Sequence, residues 1–200
     1  MRYDLEIIAS WIEQKSKVLG LGCGEGELLY FLKNQKQAFI TGIEINESKV
    51  GVCIEKGLSV IQGDINQEVI DYPDNLFDYV ILSQTLQQIY EPSKLIFSIL
   101  RIGKRAIVSF PNFSHWSMRF QIMFSGKAPI SPQLPYEWHN TPNIRVITIK
   151  DFRQFAKTNN LKILRETAIN TQNYDRTGNI VKFFPNLRAT YGIFLVEKND

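Results

Sequence analysis

Apolar positions along the first hundred residues follow two alternating rhythms, and each change of rhythm marks an element. Leu5, Ile8, Trp11 and Ile12 fall at helical spacing, so residues 4–14 read as a helix with Asp4 as its N-cap. Lys17–Leu21 reads as a short strand, and Glu27–Lys33 as a helix whose Leu28, Leu29 and Leu32 face a sheet. Ala38–Glu44 is too apolar to be half exposed, which suits a central parallel strand covered on both faces. Asn46 can cap a helix over 47–56, and Gly57 can stop it. Strands over Ser59–Gln62, Phe77–Leu82 and Lys104–Phe110 follow, the last ended by Pro111; between the last two lies a helix over Pro92–Arg101, with Pro92 near its first turn. This alternation predicts an α/β architecture in three layers around a mostly parallel sheet.

The rhythm breaks after residue 110. Residues 111–143 hold five of the eight prolines, two of the three tryptophans and both histidines. They read as an insertion, at about 111–147, beside the mouth of a ligand site, with one helix near 114–124. Ile144–Ile149 is β-prone and is expected as a buried strand rather than as a surface that pairs with a neighbour. Thr148–Asn159 is again an amphipathic helix. Leu161–Glu166 and Tyr191–Glu197 read as the last two strands, separated by a polar, mobile loop over Asn170–Asn179. A C-terminal antiparallel strand on the parallel sheet is expected.

The 200 residues, 44% hydrophobic, are expected to form a single domain over 1–200 with a sizeable core. No apolar run reaches the eighteen or so residues that cross a bilayer. The N-terminal residues lack a basic region followed by an apolar one, so a cytoplasmic chain without a signal peptide is expected. The net charge of +3 comes from scattered Lys and Arg, which does not call for nucleic acid or a membrane as partner. Cys23 and Cys53 are expected as small buried apolar residues, not as a disulfide.

Residues 18–26 read Val-Leu-Gly-Leu-Gly-Cys-Gly-Glu-Gly, and Glu44 follows eighteen residues after Gly26. A strand breaking into a glycine turn before a helix, then a strand ending in an acid, is the pattern of a nucleoside site. Glycines admit the ligand to the backbone, and the carboxylate accepts both ribose hydroxyls. The dinucleotide spacing Gly-x-Gly-x-x-Gly fails, since Glu25 or Glu27 occupies its last position. The run resembles motif I of the S-adenosylmethionine (SAM) methyltransferases, which predicts a Rossmann-like SAM-methyltransferase fold. Ligands of such sheets lie outside the carboxyl ends of the strands. Gly20, Gly22, Cys23, Gly24, Glu44, Ile45, Asp64, Ile65 and Ser83 are therefore the candidate cofactor-binding residues. Glu44 would hold the ribose, unless it is a capping or surface acid. Asp64 would take the adenine amino group, unless it serves only a turn. Ile45 and Ile65 would sandwich the ring, and Ser83 would lie near the methionine part. Gly20 stands where motif I carries an acid that fixes the amino-acid end of SAM. Losing a charge-assisted bond worth about 1.5–3 kcal/mol weakens affinity about tenfold to a hundredfold, unless a carboxylate comes from elsewhere.

No catalytic base is evident. The fourth strand leads into Gln84-Thr85-Leu86-Gln87-Gln88, not the Asn-Pro-Pro-Tyr of amino-methyltransferases. His115 and His139 are candidate bases, but beside Trp116 and Trp138 they read better as packed elements. Two histidines and two scattered cysteines show no metal spacing. The Gly-x-Ser-x-Gly elbow of serine acyltransferases is absent.

Longer phrases carry a closer resemblance. Val80–Gln87, Gly103–Phe113, Leu134–Trp138 and Asn140–Ile144, with Arg2–Leu5 and Val60–Asp64, resemble the methionine biosynthesis protein MetW family over nearly the whole chain. That resemblance implies a methyltransferase-like fold, with SAM or S-adenosylhomocysteine as the cofactor. It also implies work alongside MetX, the homoserine O-acyltransferase, which takes its acyl group from acetyl-CoA or succinyl-CoA. Two functions follow. The first is a partner that activates the acyltransferase and senses SAM, with Phe113, Trp116, Phe120, Tyr136 and Trp138 as interface anchors or as ordinary packing. The second is a SAM-dependent methyltransferase whose small-molecule acceptor sits near Ser83, His115 and Trp138.

Overall fold

The computed structural model describes residues 1–171 and 176–199. Along the chain run α1 (Tyr3–Trp11), β1 (Lys17–Leu21), α2 (Glu27–Lys36), β2 (Phe39–Glu44), α3 (Glu47–Glu55), β3 (Val60–Gln62) and the single turn α4 (Ile65–Glu68). Then come β4 (Phe77–Ser83), a 3-10 turn (Leu86–Gln88), α5 (Pro92–Ile102), β5 (Gly103–Pro111) and α6 (Trp116–Ser125). The chain closes with α7 (Ile149–Thr158), β6 (Leu161–Thr171), β7 (Gly178–Ile180), the single turn α8 (Pro185–Arg188) and β8 (Tyr191–Lys198).

Among the described residues, one sheet of order β3-β2-β1-β4-β5-β8-β6-β7 holds the eight strands. The first five are parallel, and β8, β6 and β7 add on in antiparallel fashion. The central strands are apolar on both faces because helices cover both. On one face Val18, Tyr79, Ile81 and Ile107 pack under Leu5 and Ile8 of α1 and Leu28 and Leu32 of α2. On the other, Leu19, Val80, Leu82 and Val108 pack under α5 and α7. Phe152 of α7 lies 4.6 Å, ring to ring, from Phe194 of β8, which stacks on Phe110 at 5.7 Å. A small third cluster of Leu29, Cys53 and Leu58 joins α2 to α3.

The expected α/β fold and its C-terminal antiparallel strand are present, with five differences. Asp4 is not the N-cap of α1; Arg2 holds that position, and Asp4 is buried in the first turn. Residues 144–148 form no strand. The Ile144 and Arg145 amides donate to the Gln87 carbonyl, and Val146 lies in solvent. β5 takes in Pro111 as its last residue. Of the loop expected over 170–179, Asn170 and Thr171 end β6 while Gly178 and Asn179 begin β7, and 172–175 lie outside the described residues. Asn46 caps α3 as expected, accepting from the Lys49 amide, and Thr148, read as the first residue of the following helix, is instead the N-cap of α7, accepting from the Asp151 amide. The segment between β5 and α7 holds α6 and a lone bridge between Ser131 and Leu134.

Candidate functional site

The glycine turn is pinned to the end of β2. The Gly22 and Cys23 amides both donate to the Ile43 carbonyl, at 2.8 and 3.2 Å. Gly22, Gly24 and Gly26 take φ of +60°, +58° and +74°, a region that costs other residues about 1–3 kcal/mol. Their surroundings differ. A Cβ on Gly26 would stand 2.4 Å from Leu58 Cδ1 and 2.9 Å from Cys53 Sγ, so this glycine lets α2 close on α3. A Cβ on Gly22 would stand 2.8 Å from Thr85 Oγ1, against the loop after β4. A Cβ on Gly24 would meet nothing within 4 Å, so that backbone faces open space.

Glu44 ends β2 with its side chain turned back under this turn. The Gly24 amide donates to Oε2 at 2.7 Å and the Asn46 amide to Oε1 at 3.0 Å, with the residue 6% exposed. A carboxylate offers about four acceptor positions, so two remain for other donors. The Gly63 amide donates to the Glu44 carbonyl at 3.1 Å, which brings the end of β3 alongside. There Asp64 caps α4, its Oδ1 accepting from the Asn66 amide at 2.9 Å and side chain at 2.8 Å. Ile45 is 69% exposed, a bare apolar surface beside these acids, whereas Ile65 is buried in the main core.

Cys23 and Cys53 lie under the turn, where the Cys53 thiol donates to the Gly24 carbonyl at 3.2 Å. Burial first, then Cys53 and Glu44 beside it, pushes the Cys23 thiol up to about 12. Burial likewise raises Cys53. Neither is a thiolate near neutral pH, which removes both as nucleophiles.

Gly20 pairs with Gly42 across β1 and β2. Leu29 of α2 fills the hollow these two glycines leave. A Cβ on Gly20 would stand 3.0 Å from Leu29 Cδ2, and one on Gly42 would stand 2.9 Å from Leu29 Cδ1. A side chain at position 20 would therefore need the end of Leu29 to give by a few tenths of an ångström.

The loop after β4 carries residues that local sequence pattern does not single out. Ser83 and Ser109 share a hydrogen bond at 3.0 Å, and the Gln84 amide donates to the Ser109 carbonyl at 2.9 Å. Gln84 takes φ +53° and donates through Nε2 to Asp4 Oδ2 at 2.7 Å. Arg2 holds the same carboxylate with two donors, Nε to Oδ1 at 3.1 Å and an Nη to Oδ2 at 3.0 Å. Gln87 donates to the Gln84 carbonyl at 2.8 Å, yet its own Oε1 is buried with no partner. The signal for Gln87 was weak but present: a polar residue beside the buried Leu86, in the turn after an apolar strand.

On the same edge of the sheet, at the carboxyl ends of β5 and β6, an open cleft of about 440 Å³ is lined by His115, Ser117, Ser131, Gln133, Thr171 and Thr190, among others. His115 caps α6. Its Nδ1 accepts from the Ser117 amide at 3.4 Å and lies 2.7 Å from the Ser117 hydroxyl. Burial lowers its affinity for a proton. With Nδ1 accepting from that amide, a neutral ring would carry its proton on Nε2 and present a donor there. His139 is exposed, 3.4 Å from Glu137. Asn112, a buried polar residue at the end of β5, is fully used by the fold, donating to Asn186 and Ala189 and accepting from Ser114 and Ile149. Among the described residues, no group of three or more His, Cys, Asp or Glu could hold a metal ion, and no helix is long and apolar enough to cross a membrane.

Comparison with known proteins extends this picture. The family profile of methionine biosynthesis protein MetW matches residues 2–196. A curated relative from Rhodopirellula baltica, the bifunctional methionine biosynthesis protein MetXA/MetW, is 34% identical over 175 residues. The match takes in 83% of this chain and 28% of that one, so this chain spans little more than a quarter of the relative's length. A SAM-dependent methyltransferase from Thermotoga maritima superposes with a TM-score of 0.67 at 14% identity, over 98% of this chain and 88% of that one. The cyclase SpnF superposes equally well at 17% identity, over 98% and 80%. At such identity the likeness bears on fold alone, the Rossmann-like SAM-methyltransferase fold, and SpnF carries a different chemistry on it.

Proposed function

The chain belongs to the MetW family, and from that premise we propose that it is a cytoplasmic SAM-binding partner of a MetX-type homoserine O-acyltransferase. SAM lies downstream of homoserine acylation, so a subunit that binds it can report supply to the acyltransferase. The observation that carries the partnership is the relative whose name joins MetXA and MetW in one chain.

The residues present fit a nucleoside cofactor. Glu44 keeps two acceptor positions for the ribose hydroxyls while two backbone amides hold it in place. Gly24 opens onto empty space, Ile45 offers one face for the adenine, and Asp64 stands beside it. Ile65 would present only an edge. Ser83 and the loop after it border the methionine end. Control requires that SAM bind the active and inactive states of the complex with different affinities. The segment after β5 acts as a cap, and its exposed Trp116, Phe120 and Trp138 are the anchors available to a partner. The test is homoserine acylation by the acyltransferase alone, with this chain, and with this chain plus SAM. A rate that this chain leaves unchanged sinks the proposal.

A second reading, a methyltransferase acting on a small molecule, is favoured by the cleft that His115 and Thr190 line on the same sheet edge. Bound SAM would supply an electrophilic methyl group. The chain's part would be to hold the acceptor in line, to exclude water and to donate a hydrogen bond from His115 Nε2. Release of S-adenosylhomocysteine with one acceptor out of carboxylate, amine and phenol panels would support it.

A further inference from the structure

We propose that α6 and the turn at α8 form a docking surface for a protein face that is apolar at its centre and acidic at its rim, and that the acyltransferase presents that face. This rests on the partnership proposed above and names the part of this chain that it uses.

α6 is turned the wrong way for a helix that only covers its own domain. Six of its ten residues are apolar (Trp116, Met118, Phe120, Ile122, Met123 and Phe124), yet only Met118 is buried. By contrast α5 buries Leu95, Ile96, Ile99, Leu100 and Ile102 against the sheet. A helix this short is held by burial of its apolar face rather than by its own hydrogen bonds. In α6 the larger apolar face points outward. Trp116, Phe120 and Phe124 stand one turn apart and form a ladder, with ring centroids 5.9 and 5.4 Å apart. They are 50%, 51% and 72% exposed. Rings that already brace one another lose little freedom when a partner covers them.

α8 adjoins the start of this ladder. The Asn186 side chain donates to Ser114 Oγ at 3.0 Å, and Arg119 of α6 donates through Nε to the Ser114 carbonyl at 2.8 Å. Just before Asn186, Phe183 and Phe184 are 73% and 75% exposed, and Phe184 takes φ +50°. A left-handed backbone is strained for a bulky residue, and here it holds a phenyl ring in water. Side chains of this kind bury about 150–250 Å² each, so the exposed parts of the five rings and Met123 amount to about 600–900 Å². That is near the ~800 Å² each partner gives to a stable interface.

Charge says what covers it. Residues 112–136 and 178–190 carry Arg119, Lys127, Lys182 and Arg188, all exposed, and no acid, in a chain whose whole net charge is +3. Among the described residues none of these four forms an ion pair. A second copy of the chain would set these cations against themselves, whereas an acidic rim pairs them. An anionic lipid surface calls for a denser basic cluster than two cations on each of two segments.

Binding of the homoserine O-acyltransferase to the full chain, measured by interferometry at low and high salt, tests the assignment. Phe124→Ala should weaken binding about tenfold to a hundredfold and leave the urea midpoint in place, because the ring lies outside the core. Lys127→Glu combined with Lys182→Glu should weaken it about tenfold at low salt and less at high salt. Native binding that neither variant changes overturns the inference and leaves the partnership standing, as does a loss in Phe124→Ala with none in the charge reversal. A native chain that does not bind the acyltransferase ends both. Phosphatidylglycerol vesicles that hold the native chain and release Phe124→Ala, with acyltransferase binding unchanged, would assign the surface to lipid and overturn the inference. A dimer in sedimentation that Phe124→Ala dissociates would assign it to a second copy, with the same consequence.

Discussion

The two ends of the crevice are built on different plans. At the end proposed for the nucleoside, backbone amides of Gly24 and Asn46 hold Glu44, and both contacts come from the glycine turn or the residues just after β2. At the other end, the position where motif I carries an acid is a glycine packed against Leu29, and the polar groups come from the start of α1 and the loop after β4. The first end is fixed by local chain geometry, so its residues are tied to one another by spacing. The second is assembled from segments far apart in sequence and has room to change. On the proposed reading, the loss of one motif residue bears on one end of the site and not on the whole of it.

The largest expected effect separates folding from binding within the glycine turn. Gly26→Ala combines a φ of +74° with a Cβ 2.4 Å from Leu58, so urea unfolding should show a loss of about 2–5 kcal/mol. Gly24→Ala has φ +58° but open space, so its loss should be about 1–3 kcal/mol, from backbone strain alone. Its methyl instead fills the space kept for ligand, and calorimetry should find nucleoside binding largely abolished. Equal stability losses in the two variants would break the distinction between a packing glycine and a ligand-facing one.

Next is Glu44→Gln. The substitution puts an amide group where the carboxylate accepts two backbone N–H bonds, and it removes one acceptor for the ribose. Charge-assisted bonds of about 1.5–3 kcal/mol each imply that both SAM and methylthioadenosine weaken about a hundredfold. A loss confined to SAM would mean that Glu44 does not hold the ribose.

The glycine turn and the acid that the proposed function assigns to a nucleoside were legible in the sequence because their signals are local. Glycines at alternate positions, a strand before them and Glu44 at the end of the next strand are all read by spacing. The parallel strands were legible too, since Val80, Ile81 and Leu82 are apolar in succession and buried on both faces. The cluster around Asp4 was not. An acid near a helix start reads as a cap, and only the fold shows that Asp4 pairs with Gln84 instead. The absence of an acid at position 20 is visible in the sequence, but Leu29 filling the hollow is a tertiary fact. Ile144–Ile149 misled because β-propensity does not say whether a partner strand is near; here the Gln87 carbonyl takes the Ile144 and Arg145 amides. β7, at three residues, is too short for alternation to reveal.

Restoring the acid tests how far Leu29 has committed the hollow. Gly20→Asp places a Cβ 3.0 Å from Leu29 Cδ2, so it should destabilise the chain by about 1–3 kcal/mol and not improve SAM binding. Leu29→Ala alone should cost about 2–4 kcal/mol by emptying a buried site. The double variant should be more stable than the sum predicts, since the carboxylate enters space that the leucine vacated. Additive losses would mean that the two positions do not compete.

The smallest expected effect lies under the turn, at Cys23, and it concerns pH rather than ligand. The folded thiol is held up to about 12 against an ordinary value of 9.0, with burial as the main cause. Below pH 9 both folded and unfolded forms keep the proton, and stability does not depend on this group. Between about pH 9 and 12 the unfolded thiol ionises while the folded one cannot, so the unfolded state binds fewer protons and stability falls as pH rises. Cys23→Ala should flatten the alkaline limb of a thermal-denaturation series across that window and leave the neutral region's slope unchanged. The same burial makes the native thiol slow to react with iodoacetamide at pH 8, slower than the unfolded chain. Fast alkylation of Cys23 in the native chain would mean that the glycine turn opens readily, and the rigid nucleoside end would then have to be treated as the mobile one.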